Sequence, residues 1–163
     1  MNKSIGHKVK VGLLAFVATI GFDLFLHAGI LSPFYSSTSS FLLSPQESFG
    51  RIPIGYLSFA VLTALLLWLM HRLDIRGWRN GLYFGLVFGT LVWGSLVLGL
   101  YSISTANPAL LIGWFLGQTA ELGLGGMIIG SGLATNRLLP LLIKVLIFSV
   151  VAAILGIVIQ NVL

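Results

Sequence analysis

Five apolar stretches, each long enough to cross a lipid bilayer, take up most of this chain: residues 10–31, 52–70, 81–104, 109–133 and 140–162. A hydrocarbon core of ~30 Å takes ~20 helical residues, and lipid offers no partner to an unpaired backbone group, so each stretch is expected to be a transmembrane α-helix. Composition removes the water-soluble alternative. With 57% apolar and 8% charged residues and a mean hydropathy of +1.04, 163 residues cannot hide their apolar surface in one soluble core. The predicted fold is all-α, a single domain over 1–163 built as a polytopic bundle of five helices with an external loop over 32–50.

Proline and asparagine mark the ends of these stretches. Asn107-Pro108 caps and opens the fourth helix, while Pro53 and Pro140 are expected in first turns, where a missing N–H costs little. No proline is expected inside a span. Residues 1–22 resemble a signal peptide, with Lys3, Lys8 and Lys10 ahead of an apolar run, but 23–32 offer no small-x-small cleavage site. The segment is therefore read as a retained first span.

Charge sets the orientation. Lys3, Lys8, Lys10, Arg72, Arg76, Arg79, Arg137 and Lys144 fall on one side of the predicted bundle, and only Arg51 on the other. The positive-inside rule puts the N-terminus in the cytoplasm and the C-terminus outside, as expected for a bacterial inner-membrane protein. The formal charge of +5 comes from scattered residues with no basic run or stripe, so nucleic acid is not an expected partner and the lipid bilayer is. Cysteine is absent, which excludes disulfides, thiolate metal sites and Cys-borne lipid anchors.

Twelve of the twenty glycines lie between Gly81 and Gly132. Gly81, Gly85 and Gly89 repeat at four-residue spacing, as do Gly113 with Gly117 and Gly126 with Gly130. Lipid supplies no hydrophobic force between helices, so association depends on the close approach that small residues allow. The third and fourth spans are therefore expected to form the tight centre of the bundle.

Two carboxylates, Asp23 and Glu121, stand where hydrocarbon should reject them, each at a cost of ~2.5–3.5 kcal/mol near mid-membrane. Counting depth from the span ends puts Glu121 near the midplane, Asp23 and Gln118 about one turn outward, and His27, Tyr56 and Trp114 about one turn further. Asp23 and His27 are four residues apart on one helical face; Trp114, Gln118 and Glu121 share another. If these faces meet, an outward-facing polar pocket forms, with Ser95 and Tyr101 at similar depth. Interhelical glue is the bland explanation. Such bonds average below ~1 kcal/mol in membranes, less than the acids cost, which favours a functional site. Phe34, Tyr35, Phe41 and Phe49 of the 32–50 connection are expected to rest at the headgroup level, with a pocket lid as the sharper alternative.

Asp23, His27 and Glu121 are the weak candidates for metal ligands, and no cofactor is implied. No serine lies in a nucleophile-elbow pattern, so no catalytic residue is assigned. Length and helix count invite comparison with the tryptophan-rich translocator proteins, but Trp68, Trp78, Trp93 and Trp114 do not form that family's motifs. The expected function is binding of a proton, a cation or a small polar or lipidic ligand in the pocket lined by Asp23, His27, Tyr56, Trp114, Gln118 and Glu121. In that scheme Glu121 exchanges protons with Asp23 and His27, and symmetry for transport would come from a homo-oligomer. Two alternatives stand beside it: an accessory subunit of a larger membrane complex, and an intramembrane metal-dependent enzyme.

Overall fold

A computed structural model describes residues 3–36 and 41–162, and among them every regular element is helical. Helix α1 runs from Ile5 to Asp23 and continues without a break through π-helical turns over Leu24–Ile30. The others are α2 (Ser32–Ser36), α3 (Pro45–Arg72), α4 (Trp78–Ile103), α5 (Pro108–Ala134) and α6 (Leu139–Val162). Four of them, α1, α3, α4 and α6, are long and apolar enough to cross a membrane. At 27 residues α5 matches them in length, but glycine, Gln118 and Glu121 dilute its apolar content.

The expected boundaries hold for α4, α5 and α6 to within a few residues, and α3 departs from them most. It starts at Pro45 instead of residue 52, because Ser44 and Glu47 form a capping box. Ser44 Oγ accepts the Glu47 N–H at 3.3 Å, and Glu47 Oε2 accepts the Ser44 N–H at 3.2 Å. Pro53 consequently lies inside a helix, contrary to the expectation of a first-turn position. The earlier cap extends the helix upstream through it, at the cost of one backbone hydrogen bond.

Polar contacts between distant parts of the sequence gather the basic residues at one end of the bundle. Lys3 Nζ donates to the Thr135 carbonyl at 2.8 Å and also contacts Asn136 Oδ1. His7 Nε2 lies 2.9 Å from the Gly132 carbonyl, and Lys8 Nζ donates to His71 Nε2 at 2.9 Å. The start of α1 therefore meets the ends of α3 and α5. The Gly77 N–H closes the same end on α4 by donating to the Gly130 carbonyl at 2.8 Å; Gly77 has a φ of 84°, which glycine adopts without penalty.

The core centres on α5. Its Leu122, Ile128, Ile129 and Leu133 pack with Leu14, Ala15 and Ala18 of α1 and Leu66 and Met70 of α3. The α4–α5 pairing is the most extensive in the bundle. A Cβ on Gly81 would stand 2.1 Å from the Gly126 carbonyl oxygen, and one on Gly85 2.2 Å from that of Leu122, so these positions admit no side chain. Gly113 and Gly117 serve another interface: they receive Leu31 and Leu26 of α1.

Candidate functional site

At the end opposite the basic residues, α1, α3, α4 and α5 surround a cavity of about 740 Å³. On its α1 side the helix switches geometry immediately after Asp23. The Leu31 N–H donates to Leu26 O, five residues back, at 2.8 Å, and the wider turn carries His27. Such π turns recur at functional sites because they redirect a side chain that a regular helix would place elsewhere. This one packs on α6 through a glycine contact, with Gly156 so close that a Cβ would sit 3.0 Å from the Leu24 carbonyl oxygen.

His27 is the hub of a hydrogen-bonded network. Its Nε2 lies 2.8 Å from the Gln118 amide nitrogen and 3.4 Å from Asp23 Oδ1, and its Nδ1 lies 2.6 Å from the Tyr35 hydroxyl. Trp114 Nε1 donates to the same hydroxyl at 2.7 Å. With the Gln118 amide donating to Nε2, the ring proton sits on Nδ1 and is donated to Tyr35, which then accepts two hydrogen bonds and keeps its own hydroxyl hydrogen. Burial pushes the Tyr35 phenol up to about 12, opposed by the Trp114 bond and assisted by the charge of Asp23. The phenol is thus held protonated near neutral pH. Gln118 is 2% exposed and Asp23 8% exposed. Both polar groups are withdrawn from water, which makes each missing partner costly.

Asp23, His27, Tyr56, Trp114 and Gln118 all line the cavity. Glu121 does not. It is 2% exposed, lies outside the lining, and its Oε2 has no hydrogen-bond partner, although it is close enough to Asp23 for their charges to interact. Ser95 and Tyr101 are both exposed on α4 and do not line the cavity. Among the described residues no group of three His, Asp or Glu side chains could hold a metal ion, so Asp23, His27 and Glu121 do not form the ligand set that spacing had suggested.

Several lining residues escape sequence reasoning. Tyr35 does not take the headgroup position but the alternative of a pocket lid, turning inward onto His27 with their rings 5.7 Å apart and stacked. Phe41 packs on Trp114 with ring centroids 6.3 Å apart, and Leu42, Leu43, Ser48 and Phe49 complete that side. Tyr35 and residues 41–43, on either side of 37–40, therefore border the cavity together with the start of α3. The capping-box pattern of Ser44 and Glu47 was the signal that could have shortened the loop and placed Ser48 and Phe49 on a helix. Trp93 also lines the cavity, and its Nε1 is buried without a partner.

No protein-family model, curated protein or solved structure matches this chain.

Proposed function

We propose that the chain is a bacterial inner-membrane protein of five spans, N-terminus cytoplasmic and C-terminus outside, that binds a small amphipathic ligand in its outward-facing cavity. In this reading α5 is the fifth span, shielded from lipid by its neighbours. The ligand's polar end carries positive charge or hydrogen-bond donors and meets Asp23, with His27 and Gln118 beside it. Its apolar body lies among Leu24, Ile52 and Phe59, with Tyr35 and Phe41 bordering it.

The observation that carries this reading is the lining itself: among the described residues Asp23 stands with neutral polar groups and apolar walls, and no Lys or Arg lines the cavity. A volume of about 740 Å³ falls within the range of small-molecule sites, ~300–1,000 Å³. Glu121 lies behind the cavity with one carboxyl oxygen unpartnered, so Asp23 is the acid that meets the ligand.

Energy transfer tests it, because Trp93 and Trp114 both line the cavity. The purified chain in detergent is titrated with a dansylated alkylamine and with a dansylated alkylsulfonate of equal length. Saturable transfer to the amine, weak transfer to the sulfonate, and loss of that preference in Asp23→Asn are expected. Amine binding should weaken as the pH falls and Asp23 takes up a proton, and Glu121→Gln should leave that dependence in place. Equal binding of the two probes, or amine binding that survives Asp23→Asn, would contradict the proposal.

An accessory-subunit role is the second reading. Apart from its α5 seam, α4 has few neighbours in the chain, and Tyr83, Leu91, Leu98 and Tyr101 face outward, free to meet lipid or another subunit. Stable, monodisperse chain purified alone would count against it.

A further inference from the structure

The basic end holds a second cavity, of about 680 Å³, which the ligand reading leaves unused. It lies between the start of α4, the C-terminal half of α5 and the first turns of α6. Its apolar surface comes chiefly from Leu124, Ile128, Leu141, Val145 and Phe148, and two cations, Arg137 and Lys144, border it. No Asp or Glu is in the lining. Lys144 sits five residues inside α6, a rise of ~7.5 Å from Leu139, where an ammonium reaches polar surroundings only by extending along the helix toward the basic end. Thr135 Oγ1 accepts the Arg137 backbone N–H at 3.1 Å and so keeps its hydroxyl hydrogen to donate. The Thr135 carbonyl is held by Lys3, which brings a third positive charge close by.

We infer that this cleft binds an anionic phospholipid of the leaflet at the basic end, with Arg137, Lys144 and Thr135 on the phosphodiester and an acyl chain along the Leu124–Phe148 surface. Charge complementarity selects the headgroup, and the apolar surface selects a lipid over free phosphate, to which it offers nothing. Arg72 and Arg76 lie at the same end but outside the lining, while Arg79 stacks on Trp78 at its border, 5.1 Å from the ring centroid. The inference rests on the membrane reading but is independent of the outward cavity and its ligand.

The test places the full chain in nanodiscs of phosphatidylcholine with a minor fraction of phosphatidylglycerol, and native mass spectrometry counts the lipids retained. The wild type should retain phosphatidylglycerol preferentially. Arg137→Gln with Lys144→Gln should weaken that preference about fivefold per cation, the equivalent of ~1 kcal/mol each. Arg72→Gln with Arg76→Gln should leave it unchanged. Ser131→Phe, which keeps every cation but fills the cleft, should reduce it, and inorganic phosphate should not compete. Equal losses in the two double variants, undiminished retention in a normally incorporated Ser131→Phe, or displacement by phosphate would overturn the site. A chain that fails to enter nanodiscs at all would instead refute the membrane reading on which the site depends.

Discussion

Helix α5 faces two very different neighbours along its length. Toward α4 it presents Gly123, Gly126 and Gly130, and the helices approach until backbone meets backbone. Nearer its N-terminus it turns Trp114 and Gln118 toward α1 and α3, and there a cavity stays open. Hydrophobicity distinguishes neither region, since both sit among apolar helices. Side-chain volume does: where it is absent the helices close, and where indole, imidazole and phenol rings intervene they are held apart. In a lipid environment, contact shape and hydrogen bonding thus do the work that water exclusion does in a soluble core.

The strongest way to break this contrast is to add volume to the seam. Gly81→Leu or Gly126→Leu should destabilise the chain by about 3 kcal/mol or more, since each new Cβ would overlap a backbone carbonyl across the interface. Unfolding in detergent micelles measures this, and a near-neutral result would mean that the seam is not closely packed. A smaller effect is expected at the cavity. Tyr35→Phe removes the hydroxyl shared by His27 and Trp114, a loss of about 1–2 kcal/mol that should raise amide hydrogen exchange near α2 while leaving the α4–α5 seam protected. Unchanged exchange there would show that α2 is held by other contacts. The least effect belongs to Gly99→Ala. Gly99 is also on α4 but has open space where a Cβ would go, so helix propensity should make the change neutral or stabilising by up to ~1 kcal/mol. A loss as large as that of Gly81→Leu would show that α4 tolerates no side chain anywhere, and the contrast would fail.

Part of the site could be read without coordinates. Asp23 with His27, and Trp114 with Gln118, share faces because four residues make just over one helical turn, and all four line the cavity. Glu121, three residues past Gln118, shows the limit of that rule. Seven residues past Trp114 it returns to within about 20° of the same direction on α5, so rotation does not set it apart; it stands ~10.5 Å further along the helix, deeper than the residues that line the cavity. Tyr35 is within the segment that the sequence offers as a pocket lid, but its contact with His27 is not legible there. Its side chain follows a π turn that no residue pattern announces, so an aromatic that would otherwise suit the headgroup region folds back over His27.

Hydropathy, helical period, capping chemistry and the placement of cations are local properties, and they alone determined the long helices, the basic end, and the presence of two acids where lipid should exclude them. Only the tertiary structure decided which glycines meet α4 and which receive α1, that Tyr35 and Leu42 turn onto a cavity, and that Asp23 lines it while Glu121 lies behind. Those outcomes depend on how far each helix turns about its own axis and shifts along it against its neighbours. That placement is set by contacts between residues far apart in the chain, and no single stretch of sequence contains it.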